Sequence, residues 1–182
     1  TFKIEVKAPV QPGENLLSNG DFATFTDGGF PNWTKGNNEA TVWSQSTTTV
    51  HAPSTTSLSL TNVTATTYIT QTLKTGITAG KQYDITVWYY NVTGGKNDSG
   101  LRLWSFFLDA NNGYVYMPDA NDAAADPLRT NNKYFPKSTG EWNSYTTTVT
   151  APENAVGFKF EIRAYKNCGD FFIGECSIAE KQ

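Results

Sequence analysis

Clustered cations, long apolar runs, histidine and cysteine are all scarce in this chain, and each scarcity argues against a class of function. The 14 Lys and Arg residues are scattered among 17 Asp and Glu, giving a formal net charge of −3. Without a cationic cluster to neutralise phosphates, a nucleic-acid partner is not expected. No stretch approaches the roughly 20 apolar residues of a membrane span. The one histidine, His51, sits between Val50 and Ala52 in a Ser/Thr-rich stretch, with no Gly-x-Ser-x-Gly elbow beside it. A Ser-His-Asp centre is therefore not expected, and His51 reads as an exposed loop or strand-end residue. One His and two Cys are too few, and wrongly spaced, for zinc. Cys168 and Cys176 bracket a turn and the strand after it, which leaves open either a disulfide or a buried thiol at Cys176.

What the chain does have is aromatic residues, at 14%, and abundant Thr, against a charged fraction of only 17%. That mixture suits pleated, half-buried surfaces and suits surface helices poorly. The 182 residues fit one ordinary domain that can bury a core without disulfides or metal. Residues 2–7 alternate apolar and charged, and residues 8–14 carry Pro9, Pro12 and Gly13. Residues 1–14 are therefore assigned to the end strand of an upstream domain plus a linker, and residues 15–182 to the main domain. Beginning at Thr1, the chain reads as a mature or excised module of a longer protein.

Turn chemistry recurs about every 8 to 15 residues, the spacing of a β-sandwich or barrel. Candidate strands are residues 16–22, 40–45, 57–63, 68–73, 82–92, 101–108, 142–149, 156–165 and 171–178. Residues 114–140, rich in Asn, Asp, Ala, Lys and Pro, form one long connection of the kind that carries function. Ala123, Ala124 and Ala125 can support one helical turn within it.

Side chains alternate across a strand, so each strand divides into two faces. Tyr83, Ile85, Val87 and Tyr89 belong inside, leaving Asp84, Thr86, Trp88 and Tyr90 outside. Phe158, Phe160, Ile162 and Ala164 face inward, with Lys159, Glu161, Arg163 and Tyr165 outward. Leu101, Leu103 and Phe107 join the core, placing Arg102 and Trp104 outward. Trp88, Tyr90, Arg102, Trp104, Arg163 and Tyr165 are thus expected on one outer surface. Flat C–H patches of sugar rings stack on aromatic faces while Arg side chains donate to hydroxyls, so this set suits a carbohydrate. The same aromatics can also serve as a satellite core beneath the 114–140 connection.

The ordered motifs resemble a known family. Asn15-Leu16-Leu17-Ser18-Asn19-Gly20-Asp21-Phe22 followed by Pro31-Asn32-Trp33 is similar to the opening of carbohydrate-binding modules of families four, nine and twenty-two. Ser57-Leu58-Ser59-Leu60, Gln71 before Leu73, Ala79-Gly80-Lys81-Gln82-Tyr83 and Val87-Trp88 follow in the family's order. So do Trp142-Asn143-Ser144-Tyr145, Ala151-Pro152 and the closing residues 171–178. The resemblance covers about residues 15–178 and implies an all-β, galactose-binding-like jelly-roll sandwich of two antiparallel sheets. Arg102-Leu103-Trp104 with Arg163-Ala164-Tyr165 is also similar to C-terminal modules of cell-surface proteins of gut Bacteroidetes. In relatives, acids after the opening Asp-Phe and in the final strand help hold a structural calcium. Here Ala23 and Gly174-Glu175 replace them, so Asp21 and Glu175 are the remaining candidate ligands, with backbone carbonyls completing the set.

Other chemistry is thinly supported. Asp109, Glu141, Glu153, Glu161 and Glu175 are available for glycoside cleavage, but only Glu161 falls on the aromatic face. Asp119-Ala120-Asn121-Asp122 misses the EF-hand register, which would require ligands where Ala123 and Thr130 stand. Asn32, Asn62, Asn91 and Asn97 begin glycosylation sequons that a Thr-rich chain produces by chance. The sequence thus leads to a noncatalytic module that attaches a larger secreted, periplasmic or cell-surface protein to a polysaccharide or glycan. It needs no cofactor, with a possible structural calcium, and is monomeric within the longer chain. The rival reading is an accessory domain that docks its aromatic face on a neighbouring domain or partner protein.

Overall fold

The computed structural model describes residues 13–36, 40–95, 99–117 and 122–182. The expected upstream strand and most of the linker, residues 1–12, lie outside these, as do Asn97, Asp98 and residues 119–121.

Among the described residues, eleven strands form two antiparallel sheets of a jelly-roll sandwich. They are β1 (Thr34–Gly36), β2 (Val42–Ser46), β3 (Ser57–Thr61), β4 (Thr67–Leu73), β5 (Gln82–Asn91), β6 (Leu101–Leu103), β7 (Phe106–Leu108), β8 (Tyr114–Val115), β9 (Trp142–Thr150), β10 (Gly157–Ala164) and β11 (Phe171–Glu180). The first sheet runs β1-β4-β10-β7-β8, with β6 also paired to β10. The second runs β2-β3-β11-β5-β9. No helix among the described residues is long and apolar enough to cross a membrane.

Alternation positions the core. Tyr83, Ile85, Val87 and Tyr89 are at most 1% exposed, and Phe158, Phe160, Ile162 and Ala164 at most 2%. The two inner faces therefore meet as one apolar layer, with about 1.5–3 kcal/mol favouring burial of each large side chain. Both buried tyrosine hydroxyls are satisfied, Tyr83 accepting from Thr78 N at 2.8 Å and Tyr89 donating to Pro136 O at 3.2 Å.

Two local expectations are corrected. Residues 16–22 form turns, not a strand, because Asn19 and Phe22 take φ of 52° and 55° and Asn19 binds Thr24 through both N and O. Ala123–Ala125 make no helix. A 3-10 segment starts just beyond, at Pro127–Asn132, where Asp126 caps Leu128 N at 2.8 Å and Pro127 presets the first turn. Of the two readings open for the cysteines, the buried thiol holds, since Cys168 and Cys176 are both free and buried.

Candidate functional site

The outer face of the first sheet gathers the aromatic and cationic side chains. Antiparallel register sets Arg163 of β10 opposite Arg102 of β6 on one side and Tyr68 of β4 on the other. One row further along, Glu161 lies opposite Thr70, and its carbonyl accepts from Trp104 N at 2.8 Å. In the next row Lys159 lies between Thr72 and Phe106. β6 and β7 are thus one strand interrupted at Trp104 and Ser105, and the interruption lies where Ser105 N turns to Leu128 O at 2.8 Å.

These rows create a connected surface. The Arg102 guanidinium lies 4.2 Å from the Trp104 ring centroid and 4.3 Å from that of Tyr165, and Arg163 lies 4.8 Å from Trp104. Arg102 also donates to the Tyr165 hydroxyl and, at 2.8 Å, to Asn132 Oδ1. Such pairs of cation and ring are favourable because the guanidinium meets the negative face of the π system. Arg102, Trp104, Arg163 and Tyr165 all stay partly exposed.

The long connection borders this surface. Arg129 stands 5.4 Å from Tyr116 and 5.8 Å from Trp104, and Tyr134 packs edge-on against Tyr165 at 5.4 Å. Its shape depends on three successive left-handed residues, Thr130, Asn131 and Asn132, at φ of 51–56°. Asn tolerates this conformation, but a β-branched Thr is strained there. Two bonds to the β6 backbone hold Thr130 in place, Oγ1 accepting from Leu103 N at 2.8 Å and donating to Leu103 O at 3.2 Å. That clamp presents Asn132 to Arg102.

The acids beneath are consumed internally. Glu161 is 1% exposed; Arg163 donates to its Oε1 from Nε at 2.8 Å and from an Nη at 2.6 Å, and Lys159 reaches Oε2 at 2.9 Å. Burial works against the Lys159 charge, but hydrogen bonding and attraction from Glu161 and Tyr114 outweigh it and raise its pKa above the usual lysine value. Asp126, 2% exposed, is paired to Arg129 Nε at 2.7 Å.

The expected single surface is corrected at two residues. Trp88 and Tyr90 do face outward, but β5 belongs to the second sheet, so they lie on the opposite side of the sandwich from Trp104. There His51 stacks on Trp88 at 3.9 Å between ring centroids, instead of standing free, and lies 5.5 Å from Trp142. Tyr90 packs between Trp142 and Phe172, at 5.7 and 5.9 Å. Gly174 makes room for this cluster, since a Cβ there would sit 2.6 Å from the His51 Cβ and 2.9 Å from the Trp142 ring. Sequence reasoning did not assign Tyr68, Tyr116, Arg129, Asn132 or Tyr134 to the site. Alternation from Ile69 could have placed Tyr68 outward, whereas the other four come from irregular backbone without a period to read.

Asp21 and Glu175, the candidate calcium ligands, both reach the surface. Asp21 is exposed and accepts from Ala23 N at 3.3 Å, while Glu175 points outward opposite Trp88. Among the described residues no three His, Cys, Asp or Glu side chains converge, whereas calcium takes 6–8 oxygens. Asn15 joins this segment to β11. Its amide nitrogen donates to Cys176 O at 3.0 Å, and its oxygen accepts from Leu17 N at 3.1 Å and Ile178 N at 3.2 Å. Gly20 is required alongside, because a Cβ there would fall 2.7 Å from the Asn15 nitrogen.

No family model matches the chain, and no curated protein is similar to it. Solved structures are. The enzymatically active domain of bacteriophage CBA120 tailspike protein 4 superposes with a TM-score of 0.67 at 19% identity over 91% of this chain. The chain spans only 21% of that protein's length. The CBM22-1 xylan-binding domain from Paenibacillus barcinonensis Xyn10C matches over 95% of this chain and 99% of its own, with a TM-score of 0.62 and 14% identity. TmCBM61, solved with β-1,4-galactotriose, matches over 92% and 99% with a TM-score of 0.56 and 14% identity. The likeness is one of architecture, and the fold is that of carbohydrate-binding modules, the family 22 type among them.

Proposed function

We propose that this chain is a noncatalytic glycan-binding module that attaches a larger secreted or surface protein to a polysaccharide through the outer face of its first sheet. The observation that carries the reading is the grouping of Trp104, Arg102, Arg163 and Tyr165 on one accessible surface. Sugar rings stack on such aromatics, and guanidiniums donate to their hydroxyls. Structures of the same fold include a xylan-binding domain and a module holding a galactotriose, which supports the reading. Trp88 and Tyr90 take no part in this site.

Catalysis is disfavoured by the state of the acids. Glu161 is sealed at 1% exposure with both oxygens committed to Lys159 and Arg163, and Asp126 is held by Arg129. A glycosidase needs two carboxyl groups flanking the scissile bond. The test is a glycan array followed by isothermal titration of the hits. Affinities of about micromolar to millimolar are expected for a shallow site, and failure to bind any glycan would overturn the reading.

A further inference from the structure

The first-sheet face carries more positive charge than its own acids balance. Arg102, Arg129, Arg163 and Lys159 share it with two carboxylates, Asp126 and Glu161, both buried. The chain as a whole has a net charge of −3, so this is local segregation and not a general excess. Asp126 pairs with Arg129, and Glu161 serves both Arg163 and Lys159.

Arg102 is left over. Among the described residues it meets no carboxylate; its bonds go to the Asn132 amide oxygen and the Tyr165 hydroxyl, both neutral, and its buried Nε has no partner. It also stands directly opposite Arg163 across the β6–β10 pair. Like charges in directly opposed positions destabilise a sheet. Asn132 and Tyr165 fix the guanidinium in place, so the chain holds a cation with no carboxylate of its own between two partly exposed aromatic rings.

We infer that the site takes an acidic glycan, with a uronate carboxylate received by Arg102 while the sugar ring stacks among Trp104 and Tyr165. This deepens the glycan-binding reading and rests on it. A planar carboxylate suits a guanidinium because two parallel N–H···O bonds can form, and Arg102 spends only one N–H on Asn132 and one on Tyr165. A uronate also supplies the counter-charge that Arg102 lacks, whereas Arg163 already has Glu161. A neutral sugar supplies the stacking but no such charge.

Matched oligosaccharides test the inference, each pair differing only in the anion: cellohexaose against its C6-oxidised cellouronate, and a xylohexaose bearing a glucuronate branch against the same compound with the branch carboxyl reduced to the alcohol. A C6-sulfated cellohexaose separates carboxylate from anion in general. Titration of the whole chain should show the uronate member bound about ten-fold tighter in at least one pair, the difference shrinking severalfold between 50 and 500 mM salt. Arg102→Gln should abolish the preference and also weaken the neutral member of each pair, while Arg102→Lys should keep part of the preference. Thermal melts confirm that both variants fold. Equal binding within every pair, a preference for the sulfated sugar, or an unchanged preference in Arg102→Gln would overturn the uronate assignment while leaving glycan binding intact. Binding of no oligosaccharide on these probes or on the array would remove the broader reading as well.

Discussion

Trp88 and Trp104 project from opposite sheets, on the two outer surfaces of the sandwich. One protein therefore contains its own control for aromatic stacking. Trp104→Ala should weaken glycan binding by about ten-fold or more, since the indole is the large apolar face on which the C–H patch of a sugar ring packs. Trp88→Ala should leave binding within about two-fold, and affinity electrophoresis on the best polysaccharide reads both. A larger loss from Trp88→Ala than from Trp104→Ala would move the site to the other sheet.

Glu161 is the pivot of the cationic face. Replacing it with Gln keeps its volume but leaves Lys159 and Arg163 without their carboxylate, with Arg163 still beside Arg102. Both cations remain partly in water, which tempers the cost. Glu161→Gln should destabilise the fold by about 1–3 kcal/mol in urea unfolding. A wild-type midpoint in the variant would show that Glu161 does not hold this surface together.

The parts of this molecule legible from sequence are those governed by local alternation. β5 and β10 each sort their residues correctly into inner and outer faces, because the pleat fixes that division within the strand itself, although Glu161 on the outer face of β10 is buried beneath its neighbours. The pairing of strands depends on contacts far apart in the chain, such as Arg163 with Arg102 and Glu175 with Trp88. Nothing local states which sheet a strand joins, and so two outward aromatic groups merged into one expectation. Residues 16–22 misled for a different reason: Leu16, Leu17 and Phe22 supply strand-like apolarity, but the Asn19 side chain offers the backbone a competing turn. The Asp126-Pro127 cap was readable and overlooked beside the alanines that precede it.

Asn15 gives a direct test of the calcium question. Two of its three hydrogen bonds tie residues 15–20 to β11, and the third, from Leu17 N, shapes the turn itself. A chelator such as EDTA should therefore leave the melting temperature unchanged, whereas Asn15→Ala should lower stability by about 2 kcal/mol, since backbone groups at the join lose their partners. A melting temperature that falls on chelation and recovers with added calcium would show that a cation contributes here after all.

Alkaline pH should unfold the protein through groups the core keeps neutral. Burial pushes the Tyr89 hydroxyl from 10.0 to about 12 and the Cys168 thiol from 9.0 to about 12, and raises Cys176 as well. In each case the unfolded chain gives up its proton more readily than the folded one. The stabilisation is therefore complete below the unfolded value and is lost as pH rises toward the folded one. Melting temperature should hold between pH 7 and about 9, then fall progressively toward 12. Tyr89→Phe should flatten the part of that decline above about 10, at the expense of the hydrogen bond to Pro136. The thiols report the same burial: at pH 8 a thiol-directed disulfide reagent should label neither cysteine until denaturant is added, and rapid labelling of the native chain would mean that Cys168 is not sealed.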